Sequence, residues 1–197
     1  MNIFYAPQTR AVRIFWMLEE AGIEYAKELV DIRAPERNDP EEFLAASPMG
    51  KVPAIVDGEV AMAESSAICL YVADKYRYGE LAPRIEDPER GRFLYWLMYT
   101  PAVIEPAMSE KFNKTEPNRL SNAWGDFDLM INVFDDAMEG RQWVLGDKFS
   151  AADVMLGSSA VFMRMFDMLP EARNISAYAD RCLERPAYKQ ALALSER

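Results

Sequence analysis

The feature that most constrains the fold is a proline directly before a hairpin pattern, within residues 51–68. Pro53 has no N–H to donate to a sheet, so its place in an apolar run requires an edge, a bulge or a turn. Two short apolar runs follow, separated by Asp57-Gly58, a strong signal for a tight hairpin turn. The segment ends on Glu64-Ser65-Ser66, at the start of a helical pattern. We therefore predict a bend, two paired strands and a helix that begins at Ser65.

The chain before this segment has the pattern of a βαβ unit. Residues 2–5 predict a strand, residues 11–21 a helix, and residues 25–30 a second strand. A helix between two strands is the connection that parallel neighbours require. With a short helix over 41–46 and the hairpin, residues 1–78 are predicted to form an α/β domain with the order βαβ, helix, ββα.

Strand signals disappear beyond residue 78. Residues 79–88 contain one glycine and two prolines without a clear period, and they are interpreted as a linker. Residues 89–197 are predicted to form an all-helical domain, whose first helix is kinked or split at Pro101 and Pro106. Another helix begins with a capping box of Ser150 and Asp153. Replacing a cap residue costs about 1 kcal/mol, so this motif concerns folding and not chemistry.

Composition excludes several classes of function. The net charge of −10, from 32 acidic and 22 basic residues, argues against a nucleic-acid groove, which needs clustered Lys and Arg. Histidine is absent, and the two cysteines, Cys69 and Cys182, form no CxxC pair, so no metal site is predicted. No apolar stretch has the length of a membrane span and no signal sequence is visible. We therefore expect a cytoplasmic protein without a membrane partner.

Three motifs and the order of elements resemble the glutathione transferase superfamily, in particular its bacterial serine/threonine-type or theta-like members. Residues 47–55 with 64–68 are similar to that family's glutathione-binding core, residues 6–14 to its first strand-to-helix loop, and residues 184–188 to its closing helix. The resemblance covers nearly the whole chain. It implies a thioredoxin-like α/β N-terminal domain followed by an all-α C-terminal domain.

The resemblance also implies where glutathione binds. A cis peptide bond before Pro53 would turn the main chain of Val52 toward the tripeptide, which would pair with it as an added strand. Glu64 would face the γ-glutamyl ammonium, and Ser65, at a helix N-terminus, would donate to the neighbouring carboxylate. Lys51 is the candidate for the glycyl carboxylate. The alternatives are a simple helix cap at Ser65 and a solvated loop side chain at Lys51.

Two residues are candidates for stabilising the glutathione thiolate. The family uses a hydroxyl donor near the start of the first helix or a tyrosine at the end of the first strand, and Thr9 and Tyr5 occupy these places. One such hydrogen bond with a helix N-terminus contributes ~2–4 kcal/mol, which lowers a thiol pKa by ~1–3 units. We rank Thr9 before Tyr5. The alternatives are a helix cap for Thr9 and a core or rim position for Tyr5.

The implied activity is that of an enzyme that conjugates the glutathione thiolate to small hydrophobic electrophiles, a detoxification reaction in which glutathione is the co-substrate and no metal takes part. The family also implies a homodimer. One alternative is a family member that acts as a regulatory or interaction protein with little activity. Another is a glutathione-dependent isomerase or peroxidase, since both reactions use the same thiolate.

Overall fold

The structure, a computed structural model, describes residues 1–171 and 173–196. The chain forms two compact units: residues 1–78 with the segment from Arg185 onward, and residues 79–184. The sequence prediction instead places that last segment in the helical domain, residues 89–197. Two residues of this predicted domain, Ala172 and Arg197, lie outside the described residues. The predicted linker, 79–88, is grouped with the second unit.

The first unit contains a four-stranded sheet flanked by helices. In chain order its elements are β1 (Asn2–Tyr5), α1 (Ala11–Ala21), β2 (Ala26–Leu29), α2 (Glu41–Ala46), β3 (Ala54–Asp57), β4 (Val60–Ala63), α3 (Ser65–Tyr76) and α9 (Pro186–Ser195). Up to α3 this is the predicted order, so the α/β class of this unit is confirmed. Gly22 ends α1 in the left-handed conformation, which a glycine adopts without a steric penalty.

The second unit is helical, as predicted. Its elements are α4 (Glu89–Tyr99), a π-helical segment (Thr100–Ile104), α5 (Glu105–Phe112), α6 (Phe127–Met138), α7 (Ala151–Met165) and α8 (Arg173–Glu184). The π-helical segment between α4 and α5 confirms the split predicted from Pro101 and Pro106. Proline interrupts the helix here because it lacks the N–H that continues an α-helical ladder. Among the described residues, no helix combines the length and the apolar character needed to cross a membrane.

The sheet has the order β2-β1-β3-β4. β1 is parallel to β2, with Tyr5 opposite Leu29, and antiparallel to β3, with Phe4 opposite Ala54. β3 and β4 are antiparallel, with Ala54 opposite Ala63. The last residues of β1, β2 and β4 and the first residue of β3 therefore lie at the same end of the sheet, which we call the loop end.

Both faces of β1 are covered by side chains. Phe4 packs on Phe43 of α2, with ring centroids 5.5 Å apart, and Val30 belongs to the same core. On the other face, Tyr5 meets Phe15 of α1 edge-on at 5.2 Å. Since β1 is anchored on both sides, the loops that leave the loop end start from a fixed base.

The C-terminal helix α9 packs against α1. The guanidinium of Arg185 donates to both carboxylate oxygens of Glu20, at 2.5 and 2.7 Å. The indole N–H of Trp16 donates to Glu20 at 2.8 Å, and its ring meets Tyr188 edge-on at 4.7 Å. This bidentate ion pair and the aromatic contact explain why the last segment belongs to the first unit.

Candidate functional site

The loop end of the sheet brings together residues that the sequence predicts to bind one ligand. Pro53 precedes β3 and Glu64 follows β4, and the pairing of Ala54 with Ala63 makes them neighbours on adjacent strands, which are about 5 Å apart in a sheet. Because Phe4 pairs with Ala54, extending the register of β1 with β3 by one residue puts Tyr5 opposite Pro53. Three chain segments thus meet at the loop end: the β1–α1 loop, the segment before β3 and the start of α3.

The segment before β3 presents the main chain of Val52. The Val52–Pro53 peptide bond is cis, as the resemblance implies. The side chain of Val52 packs against the core that contains Phe4 and Phe43. Within the described ranges, no backbone hydrogen bond of a turn or loop uses the N–H or C=O of Val52. These are the groups with which an extended peptide would pair.

Ser47, which begins the 47–55 motif but was given no role of its own in the sequence analysis, fixes the turn before Val52. Its buried hydroxyl donates to the C=O of Lys51 at 2.8 Å and accepts the N–H of Lys51 at 3.0 Å. The N–H of Gly50 donates to the C=O of Ser47 at 2.8 Å, and Gly50 has a left-handed φ of 61°. The side chain of Lys51 is exposed. The main chain at Gly50 and Lys51 is therefore fixed by hydrogen bonds, while the ammonium of Lys51, the predicted partner of the glycyl carboxylate, lies in solvent.

Glu64 and Ser65 form the start of α3. Glu64 is exposed and has a φ of 68°, a conformation that costs a non-glycine residue about 1 kcal/mol. It occupies the cap position of α3, and among the described residues its side chain makes no cap hydrogen bond. Ser65 is the first helical residue, so it does not act as the cap. The N–H groups of this first turn point out of the helix, where a carboxylate binds favourably.

The two thiolate candidates have different surroundings. The hydroxyl of Thr9 donates to the C=O of Ala6 at 2.7 Å and accepts the N–H of Ala11 at 3.3 Å. Tyr5 is 3% exposed, and its ring packs against Phe15. Thr9 therefore closes the β1–α1 loop, and its hydroxyl would have to turn away from Ala6 to donate to a thiolate.

Two arginines in the loop after β2 also contact the loop end, and the sequence analysis missed both. Arg33 donates from its two terminal nitrogens to the C=O of Pro7, at 3.3 and 3.2 Å. Arg37 donates to the C=O of Gly50 at 3.0 Å. These carbonyls lie 26 and 13 residues away along the chain. No local pattern marks an arginine whose partner is a distant carbonyl, so only the three-dimensional structure reveals them.

Asp57 connects the hairpin to α3. Its Oδ2 accepts hydrogen bonds from the hydroxyl of Tyr71 at 2.8 Å, the ammonium of Lys75 at 2.7 Å and the hydroxyl of Tyr76 at 2.5 Å. Burial acts to raise the pKa of Asp57, but the hydrogen bonds from these donors outweigh it and lower the pKa to about 2. These hydrogen bonds hold the β3–β4 hairpin against α3. Glu64 and Ser65 lie where the chain passes from β4 into α3.

The protein's own thiols are poorly placed for chemistry. Cys69 and Cys182 are both fully buried. Burial raises the pKa of the Cys69 thiol to about 12, so it does not ionise near neutral pH. In the part of the chain that the structure describes, no cluster of three or more acidic, histidine or cysteine side chains is arranged to hold a metal ion.

Two family models match the chain: the glutathione S-transferase N-terminal domain over residues 9–75 and the glutathione S-transferase C-terminal domain over residues 95–186. The chain belongs to the glutathione S-transferase family. A curated relative, the disulfide-bond oxidoreductase YfcG of Escherichia coli (strain K12), is 30% identical to this chain, with 98% of this chain and 94% of that protein covered.

Solved structures agree with this assignment. A glutathione transferase from Methylococcus capsulatus is 28% identical with a TM-score of 0.82, and 98% of each chain is covered. A sphingomonad glutathione S-transferase complexed with glutathione is 26% identical with a TM-score of 0.79, over 99% of this chain and 98% of that one. The predicted family, the α/β first domain and the helical second domain are thereby confirmed.

Proposed function

We propose that this transferase conjugates the thiolate of glutathione to small hydrophobic electrophiles, as a cytoplasmic homodimer that serves detoxification. The observation that carries the proposal is the register of the sheet. The register brings Val52, Glu64, Ser65 and the β1–α1 loop to one end of the first unit. Among the described residues, no turn or loop hydrogen bond uses the main chain of Val52. The sphingomonad relative, which was solved with glutathione, supports the same ligand for this chain.

Each part of glutathione has a partner in this arrangement. The main chain of the cysteinyl residue pairs with the N–H and C=O of Val52. The γ-glutamyl ammonium meets the carboxylate of Glu64, and the γ-glutamyl carboxylate accepts from the N–H and hydroxyl of Ser65 at the positive end of α3. The glycyl carboxylate meets the exposed ammonium of Lys51.

The reaction needs a thiolate, because the neutral thiol is a poor nucleophile. The thiol proton is lost to solvent, the sulfur forms a bond to the electrophilic carbon, and the leaving group departs with its electron pair. The chain contains no histidine to act as a base. A hydroxyl that donates to the sulfur therefore lowers the thiol pKa; we assign this role first to Thr9 and second to Tyr5.

Retention on immobilised glutathione and conjugation of chlorodinitrobenzene test the proposal. We expect the folded protein to be retained, to elute with free glutathione and to form the conjugate. A folded protein that does not bind glutathione would contradict the proposal. For the thiolate, Thr9→Ala is expected to raise the pKa of bound glutathione in an ultraviolet titration, with Thr9→Ser as the matched control. An unchanged titration in Thr9→Ala would move the role to Tyr5, which Tyr5→Phe tests.

A second candidate function is glutathione-dependent reduction of disulfides. The specific observation is the relative named disulfide-bond oxidoreductase, at 30% identity over nearly the whole chain. Here one glutathione thiolate attacks a substrate disulfide and releases one thiol. A second glutathione thiolate then attacks the mixed disulfide, which releases the other thiol and oxidised glutathione. Since both protein cysteines are buried, the nucleophile in both steps is glutathione.

A substrate panel separates the candidates. Turnover of a small disulfide by the Cys69→Ala/Cys182→Ala double variant, at the wild-type rate, would favour disulfide reduction through glutathione alone. Turnover of a hydroperoxide or of a maleyl-type substrate would favour the peroxidase or isomerase alternative. Glutathione binding without turnover of any of these substrates would favour a regulatory or interaction protein.

A further inference from the structure

The loop between β2 and α2, residues 30–40, contacts both halves of the candidate site. Arg33 in this loop bonds the C=O of Pro7, two residues before the thiolate candidate Thr9. Arg37 bonds the C=O of Gly50, the residue before Lys51. We propose that this loop is a brace and that Arg33 and Arg37 are positioning residues of the glutathione site, an inference that rests on the proposed function.

Arg33 holds the part of the β1–α1 loop around Pro7. Pro7 has no N–H, and Gln8 has a left-handed φ of 56°. Inside this loop the hydroxyl of Thr9 bonds Ala6, and the guanidinium of Arg33 adds two donors on the carbonyl of Pro7. A planar guanidinium with two N–H groups on one oxygen fixes the direction of that carbonyl. The orientation of Gln8 and Thr9, which follow Pro7, depends on that direction.

Arg37 holds the segment that leads to Val52. Its guanidinium is itself oriented by Asp39, through Nη2 to Oδ2 at 2.7 Å and Nε to Oδ1 at 3.1 Å. It lies over Gly50 so closely that a Cβ on this glycine would be 3.2 Å from Nη1. Arg37 and the hydroxyl of Ser47 therefore fix two successive residues of the turn: Arg37 bonds the carbonyl of Gly50, and Ser47 bonds the carbonyl of Lys51.

The exposure of these side chains argues for a local role. Both arginines lie at the surface, where a single ion pair or hydrogen bond contributes little to global stability. Each one bonds a backbone carbonyl of a different ligand-contacting segment. Loss of Arg33 should therefore raise the pKa of the bound glutathione thiol, and loss of Arg37 should weaken glutathione binding. Neither loss should change the melting temperature much.

The experiment compares Arg33→Met and Arg37→Met, with Lys148→Met in the second unit as the control for losing one exposed positive charge. We expect Arg33→Met to lower kcat about fivefold and to raise the pKa of the bound thiol, with the KM for glutathione within about twofold. We expect Arg37→Met to raise that KM about fivefold, with kcat within about twofold. The lysine variants Arg33→Lys and Arg37→Lys keep the charge and lose the planar fork. They should behave like the methionine variants, whereas full rescue by lysine would overturn the positioning role.

Hydrogen exchange of the unliganded full-length protein separates this inference from the proposed function. Arg33→Met should speed exchange at the amides of Ala11 and Val12, which bond Thr9, and Arg37→Met at those of Gly50 and Lys51, which bond Ser47. Unchanged exchange at both places would overturn the brace whether or not glutathione binds. Selectively faster exchange in a protein that does not bind glutathione would confirm the brace and contradict the proposed function. Normal kinetics and thiol pKa in both variants would overturn the role of the arginines while the function stands.

Discussion

A carboxylate organises polar contacts in each unit of the molecule, but the two surroundings differ. In the second unit Asp153 is fully buried and accepts the N–H groups of Val144 and Ser150, both at 2.9 Å, and the hydroxyl of Tyr178, also at 2.9 Å. In the first unit Asp57 is only partly buried and accepts hydrogen bonds from the exposed Lys75 and from two tyrosines. Burial raises the pKa of Asp153 to about 6, whereas hydrogen bonds from cationic and phenolic donors lower that of Asp57 to about 2 despite its burial.

The network of Asp153 also differs from the loop end of the first unit, and this second contrast separates a scaffold from a site. The donors around Asp153 are themselves protein groups, so its network is closed and joins the start of α7 to α8 and to the segment before α7. At the loop end of the first unit, among the described residues, no turn or loop hydrogen bond uses the main chain of Val52, and no side-chain cap bonds the first turn of α3. A closed network stabilises the fold, and an open array of donors and acceptors is available to a ligand.

The largest effect is expected for Asp153→Ala. The substitution leaves buried donors of Val144, Ser150 and Tyr178 without their acceptor, and we expect the free energy of unfolding to fall by about 3 kcal/mol or more. Urea unfolding measures the loss, and Asp153→Asn, which retains one acceptor oxygen, should lose less. The folded variant should keep its affinity for glutathione within about twofold. A loss of affinity without a loss of stability would reverse the contrast between scaffold and site.

Ser65→Ala should give the complementary result. A hydrogen bond to a charged carboxylate is worth about 2 kcal/mol, so the Kd for glutathione should rise roughly thirtyfold, with an unchanged melting temperature. Calorimetric titration measures the Kd. Ser121→Ala, at an exposed serine of the second unit, is the matched control and should leave the Kd unchanged. Equal affinities for the two variants would remove Ser65 from the site.

Asp57→Asn should lower stability in a pH-dependent manner. Because its folded pKa of about 2 is below the ordinary value, the contribution of Asp57 is present above pH ~4 and is lost as the pH falls toward 2. The surface exposure of Lys75 reduces the expected contribution to about 1–2 kcal/mol. Unfolding of wild type and variant at several pH values should show two curves that converge in acid.

Asp153 should show the opposite pH dependence. Its folded pKa is raised, so its contribution is complete below pH ~4 and declines as the pH rises to about 6. The stability difference between wild type and Asp153→Asn should therefore shrink over the range in which the Asp57 difference is fully present. Parallel pH profiles for the two pairs would contradict the contrast between the carboxylates.

The smallest effect is expected for Gly50→Ala, for which Gly58→Ala is the control. Both glycines have left-handed φ values, 61° and 65°, so either substitution should cost about 1 kcal/mol of stability. A Cβ at Gly50 would meet Arg37, whereas no atom of the described residues would lie within 4 Å of a Cβ at Gly58. Only Gly50→Ala should therefore raise the KM for glutathione. Equal KM values would show that Arg37 does not transmit the change.

Features encoded in neighbouring residues could be predicted from the sequence. The βαβ order follows from short local periods, the hairpin from Asp57-Gly58, and the split of the first long helix from its two prolines. The helical pattern from Ser65 onward likewise predicts the start of α3. These predictions succeed because turn chemistry and proline geometry act within a few residues of the chain.

Features that depend on distant partners could not be predicted. From the sequence, the capping box at Ser150 and Asp153 is worth about 1 kcal/mol, the usual contribution of a helix cap. The sequence does not show that Tyr178, 25 residues away, also bonds Asp153. Likewise, the carbonyl partners of Arg33 and Arg37 and the packing of α9 on α1 depend on the register and on long-range contacts. Ser47 could be predicted only in part. Its hydrogen-bond partner Lys51 is four residues away, but the burial of its side chain depends on packing against distant residues.

The central claim is that glutathione binds at the loop end of the first unit. The most direct test is to follow the NMR chemical shifts of the backbone amides during a titration with glutathione. We predict saturable shifts concentrated at three places: residues 8–10 of the β1–α1 loop, Lys51 and Val52, and residues 64–66 at the start of α3. Amides around Asp153 should not move. Saturable binding whose shifts avoid these three segments, or no binding by the folded protein, would contradict the account.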